Sequence, residues 1–301
     1  MSLKVYVNGH FVPKDQAVIS VYDHGFLYGD GVFEGVRVYN GRAFRLDEHL
    51  KRLYESAKTV ALDMPFPPEE MKEKVLQTIR INGLQDAYVR LVVSRGRGDL
   101  GIDPRKCPEP TIVIIAESIT LYPEELYEKG LKVVTVPTRR MHSEMVNPRV
   151  KSLNYLNNIL AKVEGNHLGY PEVIMLNSEG YVVEGSADNI FIVRDGAVIT
   201  PAPHLGILEG ITRNAVMELA RSLELDMREE VFTRHDLFNA DECFLTGTAA
   251  ELIPVVEVDG RKIGDGKPGP VTRRLWEAFK ELRETTGTPV YEGDKGRASA
   301  D

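Results

Sequence analysis

The chain has 301 residues, 43% of them hydrophobic and 27% charged, enough to bury one or two sizeable cores. A net charge of −8 with no lysine–arginine block argues against a nucleic-acid partner, and no apolar run approaches the length of a membrane span. Two widely spaced cysteines, Cys107 and Cys243, form neither a disulfide framework nor a zinc spacing, and the N-terminus lacks a leader-like apolar core, so a reducing, cytoplasmic setting and no metal are expected.

The first residues predict a hairpin. Val5-Tyr6-Val7 and Phe11-Val12 flank Asn8-Gly9, a dipeptide that tolerates the positive φ of a tight turn. A second hairpin surrounds Asn40-Gly41, between Val32–Tyr39 and Ala43-Phe44. The spacing of Leu50, Leu53, Tyr54 and Ala57 predicts a helix from Asp47, and Met71, Val75 and Ile79 predict another from Pro68 to Asn82-Gly83. Strands follow at Ala87–Ser94 and Thr111–Ala116.

The composition shifts at Leu121–Gly130, which reads as a connector. Beyond it come a strand at Lys132–Val136 and a helix at Leu153–His167, whose apolar arc is Leu156, Ile159, Leu160 and Val163, with Lys162 outside the arc and solvated. Hairpins at Ser178-Glu179-Gly180 and Asp195-Gly196 follow, then a helix over Thr212–Leu223. Strands near Asp226–Val231, Cys243–Leu245 and Ile253–Val258 precede a last helix over Val271–Thr285, and the polar tail from Gly287 is expected to fray. The expected division is a small N-terminal domain over 1–120, a connector over 121–133, a large domain over 134–286 and a tail over 287–301. Strand runs joined mostly by hairpins point to mixed α+β sheets rather than a doubly wound parallel sheet.

Several residues form a candidate constellation. Most lysines are solvated surface charges, but Lys151 lies where the chain enters an amphipathic helix, with Tyr155 four residues on. A Schiff-base amine must be deprotonated part of the time, which burial favours. Glu184, at a strand end, is a surface charge on one reading and a carboxylate for a protonated ring nitrogen on the other. Gly210-Ile211-Thr212 opens a helix whose free N–H groups favour a phosphate, although Thr212 also suits a plain N-cap. Thr246–Ala250 offers hydroxyls and amides after a strand. Arg52 is either a solvated helix arginine or a bidentate phosphate donor. The glycines Gly29, Gly31 and Gly35 lead into a β-like run, whereas a dinucleotide turn needs a helix there. Arg97-Gly98-Asp99 spells an adhesion-associated tripeptide that chance supplies readily.

Taken in order, seven segments resemble the fold type IV pyridoxal-phosphate enzymes, and within them the branched-chain-amino-acid aminotransferases. They are Tyr22–Gly35, His49–Leu53, Tyr88-Val89-Arg90, Lys151–Leu156, Glu184–Phe191, Gly210–Arg213 and Gly247–Glu251. The resemblance implies an α+β, two-domain architecture: a small N-terminal α/β domain, and a larger C-terminal domain with a mixed, barrel-like sheet. It implies pyridoxal 5′-phosphate held by Lys151 as an internal aldimine, with Lys151 also shuttling the proton. It implies that Tyr155 bonds the phenolic oxygen and Glu184 the pyridine nitrogen, while Arg52, Gly210, Ile211, Thr212 and Thr248 hold the phosphate. Amides of Thr248 and Ala249 would bind the substrate α-carboxylate, Tyr28, Phe33 and Tyr88 would form apolar walls, and Arg90 would pair with the glutamate side chain. Leu100 and Ile102 would come from a neighbouring subunit, making a homodimer at least. Expected substrates are leucine, isoleucine or valine with 2-oxoglutarate, in a ping-pong exchange. D-amino-acid aminotransferase, (R)-amine transaminase and aminodeoxychorismate lyase share the fold and are the alternatives. Ala187-Asp188 replaces a common Gly-Glu without touching a ligand, and the basic loop Arg95–Gly98 is expected to widen acceptance toward acidic or aromatic substrates.

Overall fold

The computed structural model describes residues 2–119 and 122–291, and the chain divides into two compact units. The first comprises Met1–Ile119, Lys151–Leu153 and the segment from Leu282. Its elements are β1 (Lys4–Val7), β2 (His10–Pro13), α1 (His24–Tyr28), β3 (Gly31–Tyr39), β4 (Arg42–Ala43), α2 (Leu46–Thr59), α3 (Pro68–Ile81), β5 (Ala87–Ser94) and β6 (Thr111–Glu117). Both Asn-Gly turns do what the dipeptide allows: Asn8 and Gly9 have φ 44° and 94°, and Asn40 and Gly41 have 49° and 70°. β3 and β5 pair antiparallel from Gly31 opposite Ser94 to Val38 opposite Ala87. On β3, Val32, Val36 and Val38 face a core that takes Leu46, Leu50 and Leu53 from α2 and Met71, Val75 and Ile79 from α3.

The second unit comprises Thr120–Val150 and Asn154–Glu281. Its elements are α4 (Glu124–Lys129), β7 (Leu131–Thr135), α5 (Leu156–His167), β8 (Glu172–Leu176), β9 (Val182–Gly185), β10 (Asn189–Arg194), β11 (Ala197–Thr200), α6 (Ile211–Ser222), β12 (Asp226–Glu229), α7 (Arg234–Phe238), β13 (Glu242–Gly247), β14 (Glu251–Val258), β15 (Arg261–Lys262) and most of α8 (Pro270–Thr285). The strand path β10-β13-β14-β7-β8-β9 closes on itself, because Asn189 of β10 pairs with Glu184 of β9. The result is a six-stranded barrel with β11 and β12 extending from β10. Its interior residues include Leu131, Val133, Ile174, Ile190, Leu245 and Ile253. The expected α+β architecture, with mixed sheets and a barrel-like core, is what forms.

Within the connector, α4 follows Pro123. Three local expectations are corrected. The tail does not fray from Gly287: β16 (Thr288–Pro289) pairs with β4, and Val290 is fully buried. The rest of that tail, and Leu121 of the connector, lie outside the described residues. The apolar arc of α5 is exposed within this chain, with Leu156 at 66% and Ile159 at 54%. The small or polar residues Asn158, Ala161 and Gly165 are buried instead, because a helix laid closely on β8 leaves no room for large side chains. Lys162 accordingly lies beside the sheet, 3.0 Å from the buried carboxylate of Glu172.

Candidate active site

In the first unit, the segment around Lys151 is held by backbone pairing. Phe33 N–H donates to the Lys151 carbonyl at 3.0 Å, Leu153 N–H to Gly31 at 2.9 Å, and Lys151 N–H to the Ser56 hydroxyl at 3.1 Å. The lysine side chain lies over Phe33, with Nζ 4.6 Å from the ring centroid. The Arg90 guanidinium lies 4.6 Å from the same centroid and donates to the Tyr88 hydroxyl at 3.1 Å. Register explains the grouping: Phe33 and Gly35 alternate with core residues on β3, and Arg90 sits opposite Gly35 on β5.

Arg52 is buried rather than solvated. Its Nε and Nη2 donate to the two oxygens of Glu34 at 2.7 and 2.9 Å, and His49 Nδ1 donates to Glu34 at 2.7 Å. Burial alone would push the Glu34 carboxyl up, but the charges and hydrogen bonds of Arg52 and His49 outweigh it and hold Glu34 far below the usual carboxylate range. Burial lowers the proton affinity of His49, with Glu34 opposing. Sequence reasoning missed Glu34. It is the one charged residue on the otherwise valine-lined face of β3, a signal that demands a buried partner.

Tyr28 lies at the end of α1, and its hydroxyl donates to the Leu100 carbonyl at 2.5 Å. Leu100 and Ile102 are 69% and 82% exposed. The basic loop is half consumed by structure: Arg95 is buried, paired with both oxygens of Asp30 and with the carbonyls of Val60 and Ala61. Arg97 is exposed.

In the second unit, the Glu184 carboxylate is 4% exposed and tied to the helix expected to hold phosphate. Its Oε2 accepts from Leu208 N–H at 2.9 Å, two residues before Gly210. Asn189 Nδ2 donates to Glu184 at 3.4 Å and to the Leu208 carbonyl at 2.8 Å, and a β-carbon at Gly210 would collide with the Asn189 oxygen. Gly210 is the N-cap of α6 and provides no capping side chain, while Ile211 and Thr212 are buried at the first turn. Thr246 lies opposite Asn189 in the β10–β13 pairing, and its hydroxyl is buried with no partner among the described residues. Thr248 and Ala249 follow in the adjoining turn. Tyr155 is the N-cap residue of α5.

The other oxygen of Glu184 holds a residue that the sequence reading did not single out: Arg140 Nε donates to Oε1 at 2.5 Å. This arginine is in an irregular stretch between β7 and α5, where no periodicity marks it.

A group with a basic ring nitrogen at one end and a phosphate at the other needs a buried carboxylate and a cluster of amide and hydroxyl donors. Glu184, the uncapped N-terminus of α6 and the orphaned Thr246 hydroxyl beside Thr248 fit that demand within one unit. Among the described residues no cluster could hold a metal ion and no helix is long and apolar enough to cross a membrane.

Known proteins bear on this arrangement. The family described as amino-transferase class IV matches residues 31–258. A Methanocaldococcus jannaschii protein, provisionally named a branched-chain-amino-acid aminotransferase, is 51% identical over 290 residues, covering 96% of this chain and 100% of its own. A D-alanine aminotransferase of Staphylococcus haemolyticus is 35% identical over 288 residues, covering 94% and 98%. Among solved structures, the T.th. branched-chain amino acid aminotransferase with pyridoxamine 5′-phosphate superposes with a TM-score of 0.90 at 39% identity, covering 94% of this chain and 95% of that one. The same enzyme has been solved with N-(5′-phosphopyridoxyl)-L-glutamate, with a TM-score of 0.89 at 38% identity over the same shares.

Proposed function

From the premise that the chain belongs to the class IV aminotransferases, pyridoxal-phosphate enzymes, we propose that it moves the amino group between branched-chain L-amino acids and 2-oxoglutarate by a ping-pong exchange. The observation that carries this reading is the Phe33 ring, with the Lys151 amine and the Arg90 guanidinium each 4.6 Å from its centroid. An amine for the reacting carbon, a cation for an acidic side chain and an apolar wall then stand together. One pocket can seat an aliphatic side chain against Phe33 and Tyr88, and a glutamate carboxylate against Arg90.

Bound pyridoxal phosphate supplies an aldehyde that takes up the amino group and a protonated ring that draws electrons from the substrate Cα. The protein's own groups do the rest. Lys151 Nζ would hold the cofactor covalently at rest and, once released, would carry the proton between the substrate Cα and the cofactor. Glu184 holds the ring nitrogen, and Tyr155 the phenolic oxygen. Arg52, Thr248 and the N-terminus of α6 at Gly210, Ile211 and Thr212 hold the phosphate, with Glu34 fixing the plane of the guanidinium. The amides of Thr248 and Ala249 orient the α-carboxylate. Tyr28 lines the pocket, and Leu100 and Ile102 close it from a second copy of the chain in a homodimer or larger assembly.

The test is the visible spectrum of the purified protein during titration with L-leucine, without an acceptor. Conversion of the cofactor to its amine form, faster with L-leucine than with D-alanine, is expected. The reverse order sinks the branched-chain assignment and favours the D-amino-acid reading that the Staphylococcus haemolyticus relative represents.

A further inference from the structure

Arg140 is a buried cation that this mechanism does not use. Its side chain is almost fully enclosed and its Nε donates to Glu184 Oε1 at 2.5 Å. The arginine is itself fixed: its N–H donates to the Leu176 carbonyl at 2.9 Å, and Nη1 reaches Asn157 and Asn158 Oδ1 at 3.3 Å each. Asn158 Nδ2 is anchored in turn on the Ser186 carbonyl at 2.8 Å. Glu184 is therefore clamped between a guanidinium at one oxygen and the Leu208 and Asn189 donors at the other.

We propose that Arg140 is a positioning residue that acts through Glu184, keeping the proton of the carboxylate–ring contact on the ring nitrogen. The proposal rests on the reading that Glu184 meets that nitrogen. A carboxylate and a pyridine nitrogen are bases of similar strength, so the proton they share is easily tipped either way. A guanidinium in contact with the carboxylate stabilises its ionised form. The ring nitrogen, farther off by a hydrogen-bond length of about 2.8 Å, feels the same charge less. The difference drives the proton from carboxyl to nitrogen and breaks no other bond. The ring is then at its most electron-withdrawing while Lys151 takes the Cα proton.

The experiment is nitrogen NMR of the holoenzyme carrying ring-15N pyridoxal phosphate, in wild type, R140M, R140K and E184Q. The wild-type ring nitrogen is expected at the protonated position, R140M at or near the neutral one, and R140K between them or with wild type. R140M should also slow single-turnover reaction with L-leucine by about tenfold or more, the effect of one unit of relative proton affinity, with cofactor affinity changed far less. A protonated ring in R140M overturns the proposal. If R140M does not fold, R140K decides: an unprotonated ring there, with the charge retained, overturns it equally. Failure of the underlying reading looks different, because E184Q would then leave the wild-type nitrogen signal unmoved.

Discussion

Glu34 shows how one side chain can serve both stability and site geometry. It is fully buried, and Arg52 reaches it from 18 positions along the chain, with His49 completing its contacts. Its hold on protons is weaker in the folded protein than in the unfolded chain. The stabilisation is therefore complete above the unfolded glutamate pKa of about 4.3 and is lost as pH falls below that value. Replacing Glu34 by Gln leaves a buried guanidinium without its counter-charge, a loss of about 3–5 kcal/mol. Urea midpoints measured from pH 7 down to pH 3 should fall for wild type in the acid limb and fall less steeply for E34Q, which starts lower. Parallel curves for the two proteins would remove Glu34 from the acid response.

Elements differed in how far the sequence betrayed them, and the difference tracks range. Asn8-Gly9 and Asn40-Gly41 form hairpins because the turn is decided within four residues, and α2 and α3 were legible because their apolar spacing faces one continuous sheet. α5 misled for the opposite reason: its apolar arc is exposed in this chain and its packed face is made of Asn158, Ala161 and Gly165, so pattern and burial part company. The barrel closure through Glu184 and Asn189, and the Arg140 contact 44 positions from its partner, are long-range facts with no local signature. The family-like segments contain Lys151, Glu184 and Gly210 but carry no sign of what braces them. Gly210 illustrates a brace at element scale. A β-carbon there would press on Asn189, which links Glu184 to Leu208 at the approach to α6. G210A should weaken pyridoxal phosphate binding roughly five- to tenfold, the scale of a helix N-terminus acting on an anion. Pyridoxal lacks the phosphate, so its affinity should barely change. Equal losses for both, read by spectral titration, would make Gly210 a folding residue only.

At the scale of the whole molecule, the two exposed apolar residues of the 98–103 loop raise the question of what covers them. Leu100 and Ile102 stand 69% and 82% exposed while the Leu100 carbonyl is fixed by Tyr28, so the loop is anchored and yet presents its apolar side chains outward. A second copy of the chain would bury them, and the proposed function places them over that copy's substrate. Subunit mixing tests this directly. Lys151→Ala removes the reactive amine but leaves the loop intact, and a L100E/I102E protein keeps Lys151 but spoils the loop. Each alone should be nearly inactive toward L-leucine. If the loop acts across subunits, a hybrid pair holds one fully wild-type site. Equal mixing with free exchange then gives hybrids in half the dimers, and about a quarter of wild-type activity returns. If the loop serves its own subunit, every site in every hybrid carries a defect and no activity returns. A null result counts only where dimers have formed and exchanged, which light scattering for the dimer mass and native mass spectrometry for the hybrid species establish on the same mixtures.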